Sequence, residues 1–267
     1  MRRLLLAATV LALTAAPAFA KLEVEKIEAC HGRLGPVRKT LDFYPYDEVW
    51  FRFTVTGAKA DDEGKVDIEM AWKLLDDKGK EVLSKKVPGK GPIAFGSESF
   101  PATVSVVLAE PVIAGEYTLK VTVKDNLASA ETGFEKKLSL KATEFAIVSP
   151  QFFHDAGFTV PAPAGGVVGE QLHFHLLTIG FDRAQGKIDN ELTVQILDRD
   201  KKELLPKPLR MVAEKDDPKV VKELQWLDYG GALLLTKAGE FTLRISVTDR
   251  NSKKTATFEA PLKVTAP

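Results

Sequence analysis

Residues 114–125 return 124 positions further on without a gap. Ala114-Gly115-Glu116-Tyr117-Thr118-Leu119-Lys120-Val121-Thr122-Val123-Lys124-Asp125 is matched by Ala238-Gly239-Glu240-Phe241-Thr242-Leu243-Arg244-Ile245-Ser246-Val247-Thr248-Asp249, and the match runs on to Ala142 and Ala266. Self-similarity at a fixed spacing constrains architecture more than any local signal, because the fold must be one that can be built twice. Upstream the repeat continues with small shifts. Gly64-Lys65-Val66-Asp67-Ile68-Glu69 matches Gly186-Lys187-Ile188-Asp189-Asn190-Glu191 at an offset of 122. Nearer the start an offset of 123 lays Val49, Phe51 and Phe53 over Leu172, Phe174 and Leu176. The 122 register would instead lay Phe51 and Phe53 over His173 and His175, exchanging the two faces of a strand. The repeats are therefore residues 21–142 and 143–267, joined by the short link 141–144, which lacks a flexible spacer composition.

Within each repeat the dominant period is two. Tyr117, Leu119, Val121 and Val123 alternate with Thr118, Lys120, Thr122 and Lys124, and Phe241, Leu243, Ile245 and Val247 keep the pattern. This is the mark of a half-buried strand. Val66, Ile68, Met70, Trp72 and Leu74 alternate likewise, and their copy does so with one polar interruption at Asn190. Asp76-Asp77-Lys78-Gly79, Pro88-Gly89, Ala114-Gly115 and Asp125-Asn126 punctuate the runs as turns. No segment carries a sustained helical period. The expectation is all-β: two tandem antiparallel sandwiches of six to eight strands each.

Gly115-Glu116-Tyr117-Thr118-Leu119-Lys120-Val121 and its copy resemble the penultimate strand of immunoglobulin-like and fibronectin-III-like bacterial modules. The resemblance implies a corner tyrosine at Tyr117 and a central core tryptophan at Trp72. The second copy departs with Phe241 and Val194, and neither copy has the paired cysteines of antibody domains. Tandem sandwiches of this kind occur in exported bacterial proteins, and the resemblance implies no activity. Pro261 falls in the final strand, which places that position at an unpaired sheet edge.

The first twenty residues read as a secretion leader. Arg2 and Arg3 precede an apolar run over residues 4–16, and Ala18-Phe19-Ala20 is a cleavage signature, leaving Lys21 as the mature start. No later apolar stretch is long enough to span a bilayer. The expected location is periplasmic or extracellular. The chain holds 37 basic and 37 acidic residues. Losing Arg2 and Arg3 tips the balance slightly acidic, which disfavours nucleic acid as a partner. One cysteine, Cys30, forms no internal disulfide in an exported chain and reads as a buried small hydrophobe.

Three sets of residues carry candidate chemistry. His173 and His175 lie two apart on a strand and share its solvent face, where two imidazoles can chelate a divalent ion such as zinc or copper. His154, followed by Asp155, is the candidate third ligand with an orienting carboxylate. Tyr44, Tyr46 and Trp50 cluster rings at a loop entering a strand and could stack on a glycan or a Pro-rich peptide, with core and junction packing as the alternative. Trp226 and Tyr229 are a weaker counterpart. Asp61-Asp62-Glu63, Asp198-Arg199-Asp200 and Asp216-Asp217 offer oxygens for calcium, or simply turn carboxylates. No nucleophile elbow, zinc-protease helix or phosphate loop is present. The sequence thus points to an exported, non-enzymatic module, needing no cofactor, whose partner is an envelope protein or a glycan. A metal-dependent function on the His173/His175 face is the alternative.

Overall fold

The computed structural model describes residues 21–93, 97, 99–109, 112–184 and 186–267. The expected leader, residues 1–20, lies outside the described residues. The first repeat forms β1 (Glu23–Cys30), β2 (Asp42–Phe43), β3 (Glu48–Thr56), β4 (Lys65–Leu75), β5 (Glu81–Pro92), β6 (Ser99–Val107), β7 (Gly115–Asp125) and β8 (Ala130–Leu140). The second forms β9 (Ala146–Phe153), β10 (Gly165–Val167), β11 (Gln171–Ile179), β12 (Ile188–Leu197), β13 (Leu209–Lys215), α1 (Pro218–Glu223), β14 (Trp226–Leu234), β15 (Gly239–Asp249) and β16 (Thr255–Thr265). Among the described residues the fold is all-β apart from α1.

Each repeat contributes a three-stranded and a five-stranded sheet in the same order: β1-β3-β6 with β2-β8-β7-β4-β5, then β9-β11-β14 with β10-β16-β15-β12-β13. The ladders are antiparallel with one exception per repeat. The short strands β2 and β10 run parallel to β8 and β16. In both repeats the chain leaves the small sheet after its first strand and lies along the last strand of the large one, covering an open backbone edge.

The alternation read from the sequence sets the faces. Val49, Phe51, Phe53 and Val55 of β3 are buried, and Leu172, Phe174 and Leu176 of β11 are buried at the places the 123 offset assigns them. Each repeat has its own apolar core, one centred on β3, β4 and β7 and the other on β11, β12 and β15. The contact expected of Tyr117 is present. Its hydroxyl donates to the Ile113 carbonyl at 2.7 Å and accepts from the Ile113 N–H at 3.2 Å. Trp72 is buried, and Val194 takes its place in the second core. Pro261 pairs with Thr242 of β15. Lys263, two residues on, directs its N–H to Ala164, away from β15. The nitrogen of Pro261 therefore faces the strand side that β10 leaves uncovered.

Two details depart from the sequence reading. The helix α1 was not expected; Asp217 caps it by accepting from the Lys219 and Val220 N–H groups, with Pro218 at the first helical position. Asn190, read as a polar interruption, is fully buried, and the buried Tyr229 hydroxyl faces it and Thr178. Burial pushes the Tyr229 phenol up to about 12.

Candidate functional site

The junction between the repeats is built from polar groups that the first strand of the second repeat inserts into the first. Ser149 sits in a bulge of β9 with φ 49°, and Lys26 holds the same place in β1 with φ 51°. In β9 the bulge is used: the Ser149 N–H donates to Asp47 Oδ1 at 2.9 Å, its hydroxyl donates to the Tyr46 carbonyl at 3.0 Å, and the Glu48 N–H donates to that hydroxyl at 2.8 Å. Gln151 adds a bond to Glu48 at 2.9 Å. Asp47 is held from the other side by Arg38, both of its oxygens lying 2.8 Å from the same guanidinium nitrogen. That pair is almost completely buried, at 7% and 4% side-chain exposure. Arg38 also lies over the Phe43 ring at 4.5 Å. Burial pushes the Asp47 carboxyl upward, opposed by Arg38 and by the Ser149 and Glu48 N–H groups.

Aromatic rings complete the junction. His31 meets Phe258 edge to face at 5.0 Å. Its Nδ1 is buried without a partner. Burial, reinforced by Arg38, lowers the imidazole to about 3. Tyr46 packs on Trp226 at 5.1 Å, and Tyr44 donates to Glu144. That bond, with burial behind it, moves the Tyr44 phenol up to about 12. Both tyrosines pack with Ala146, Val148 and Ile179 of the second repeat. Tyr44 lines a cleft of about 680 Å³ between the repeats, whereas Trp50 lines a different one of about 200 Å³ beside Trp72 and Arg33. The expected ring cluster is thus divided, because Trp50 faces outward from β3 while the tyrosines turn into the junction.

His173 and His175 share the outer face of β11, as their spacing requires, and both are half-buried. His175 Nε2 lies 2.8 Å from Asp228 Oδ1, and Phe158 covers the ring at 5.1 Å. The Phe158 ring can sit there because Gly230, opposite His175, is bare; a Cβ on Gly230 would come within 2.4 Å of it. His154 lies exposed beyond the end of β9. Asp155 is occupied by the Val160 N–H at 2.7 Å and by Thr159, which hold its carboxyl below the usual range. Among the described residues no three His, Cys, Asp or Glu side chains converge on a point. The three-ligand arrangement expected from His154, His173 and His175 is therefore not assembled. The acidic clusters serve their own backbones: Asp61 and Asp198 each accept two turn N–H groups, and Asp217 caps α1.

A site the sequence reading missed lies at the far end of the second repeat. An apolar groove of about 430 Å³ runs between β13 and β14, walled by Ile196, Leu209, Leu233, Phe241 and Leu262. Leu204, Leu209 and Leu234 stand 42%, 49% and 62% exposed around it. At the matching end of the first repeat Leu108 and Val112 are buried and the Tyr117 hydroxyl holds the Ile113 backbone. The second repeat has only residues 235–238 for the same turn, and Phe241 has no hydroxyl to pin one. The available signal was the run Leu233-Leu234-Leu235, which breaks the two-residue period.

No family model and no curated protein matches the chain. Among solved structures, it is similar to the C-terminal domain of the Streptococcus agalactiae AgI/II polypeptide BspA at TM-score 0.31 and 10% identity, covering 90% of this chain and 100% of that one. The C-terminal domain of the Streptococcus pyogenes antigen I/II-family protein AspA also gives TM-score 0.31 and 10% identity, over 91% and 100%. A red sea bream transglutaminase gives TM-score 0.29 and 8% identity over 92% of this chain, which spans only 31% of the enzyme's length. None of these scores is high enough to bear on fold or activity.

Proposed function

We propose that the chain is an exported, non-enzymatic tandem of two immunoglobulin-like sandwiches, residues 21–142 and 143–267, that binds another protein of the cell envelope through its second repeat. The observation that carries this reading is the apolar groove between β13 and β14, where Leu204, Leu209 and Leu234 remain exposed. Three large aliphatic side chains around one concavity lower their free energy when a partner's apolar residues cover them. The polar clasp at Ser149 and Asp47 supports a fixed angle between the sandwiches, so the groove would be presented in one orientation. The leader-like residues 1–20 support export to the periplasm or beyond. The experiment is a photoreactive residue at position 234, installed in the exported protein and irradiated in its own compartment. A specific protein adduct, lost when Leu209→Asp is added, is expected; no adduct, or one equally strong from exposed Lys254, would overturn the reading.

A second reading, zinc or copper on His173 and His175, is favoured by their common face and by Asp228, which orients His175 as outer carboxylates orient metal-bound imidazoles. Stoichiometric metal uptake that His173→Ala abolishes would place it first.

A further inference from the structure

The two repeats end their large sheets differently. In the first, the edge strand β5 carries Lys85, Lys86 and Lys90 with Pro88 and Pro92. Lysine and proline on an edge are the devices that stop another strand from pairing there. In the second, the edge strand β13 reads Leu209-Arg210-Met211-Val212-Ala213-Glu214-Lys215, with no proline and no glycine. Among the described residues no strand covers its outer side.

We infer that β13 pairs with β13 of a second copy of this chain, antiparallel about Val212, closing a twofold dimer. The strand is charge-complementary to itself in that register, which also pairs all seven of its residues. Arg210, Val212 and Glu214 lie opposite Thr193, Glu191 and Asp189 and so share the solvent face. Antiparallel pairing about Val212 sets Arg210 of each copy opposite Glu214 of the other and Val212, 53% exposed, against its equivalent. Leu209, at the groove mouth, comes opposite Lys215, whose methylene stem can cover it. The competing contacts within the chain are long: Arg210 to Glu191 and Glu214 to Lys187, each 3.5 Å, with Arg210 and Glu214 themselves mostly exposed. A twofold contact consumes both edges and does not propagate into a fibre.

Sedimentation velocity on the mature chain, residues 21–267, tests this. The expected result is a dimer that forms with rising concentration, with β13 amides exchanging more slowly in the dimer. Arg210→Glu places like charges opposite each other twice and should weaken association at least about tenfold. Adding Glu214→Arg swaps every pair and should restore it. Unchanged near-ultraviolet circular dichroism shows that each variant is folded. A chain monomeric at roughly 0.5 mM leaves the edge to a strand from a different protein and overturns the proposal. A dimer that Arg210→Glu leaves intact, or that the swap does not rescue, overturns it equally.

Discussion

Tyr117 and Phe241 stand at the same place in the two repeats and leave it in opposite states. The first holds the Ile113 backbone through its hydroxyl; the second has no hydroxyl and lines an open groove. The same division recurs elsewhere. The first repeat buries Arg38 against Asp47 and blunts β5 with lysine and proline. The second has Pro161 and Glu170 at the places of Arg38 and Asp47, and its edge strand β13 has no proline within it. Duplication kept the frame, the bulge at Lys26 and Ser149 included, while the ends and edges diverged. The buried ion pair lies in the first repeat and the apolar groove in the second.

The sharpest way to break this contrast is at the buried pair. Asp47→Ala leaves the Arg38 guanidinium buried and unpaired and removes the acceptor for Ser149, so a loss of about 3–5 kcal/mol is expected. Glu170→Ala, at the matching place in the second repeat, removes an exposed side chain whose bond to the Val167 N–H is 2.8 Å. It should change stability by less than about 1 kcal/mol. Urea midpoints of the two variants decide; equal losses would mean that the junction is not where the first repeat is specialised.

The corner comes next. Tyr117→Phe strips the hydroxyl from the Ile113 carbonyl and N–H and should lose about 1–3 kcal/mol. The reverse change, Phe241→Tyr, has no folded-back connection to meet and should leave the melting temperature where it is. A gain on Phe241→Tyr would show that the second corner can close and that the groove is not a fixed feature.

Much of this was legible from the residues because it depends on local period. The two-residue alternation sets which faces of β3 and β11 are buried, and Gly-Glu-Tyr marks the corner. The face shared by His173 and His175 follows from the same arithmetic. The remainder depends on side chains far apart in sequence. Asp47 meets Ser149 across 102 positions, and nothing in either neighbourhood announces it. Tyr46 and Trp226 were read as separate aromatic sets and prove to be one contact. Asn190 breaks an apolar run as a solvent-facing residue would, yet it is buried, with the Tyr229 hydroxyl of the opposite sheet facing it. The groove was hidden for a related reason: a leucine run reads as core until the segment that should cover it is found to be missing.

The junction should also respond to acid in a way the rest of the molecule does not. His31 has a folded value of about 3 against an ordinary 6.5, through burial and then Arg38. The folded chain therefore binds this proton less readily than the unfolded one. The stability it confers is complete above pH 6.5 and drains as pH falls from 6.5 toward 3. The limiting slope for one such group is about 1.4 kcal/mol per pH unit. His31→Phe keeps a ring against Phe258 and should flatten the profile between 6.5 and about 4.5, the range above ordinary carboxylate titration. An unaltered slope would mean that the imidazole reaches solvent.

The finest difference between the repeats sits in matching turns. Asp76 accepts from the Lys78 and Lys80 N–H groups, and Asp198 accepts from those of Asp200 and Lys202. The turns are the same, but the left-handed position is Gly79 at φ 79° in one and Lys201 at φ 63° in the other. A side chain there crowds the following carbonyl, at about 1 kcal/mol, whereas glycine meets no such clash and instead loses more freedom on folding. Lys201→Gly should therefore raise stability by no more than about 0.5 kcal/mol, and Gly79→Lys should lower it by a similar amount, about 0.5 kcal/mol. If Gly79→Lys proves neutral, the first turn has slack that its hydrogen bonds do not suggest, and the two copies are closer to interchangeable at this position than their backbone angles imply.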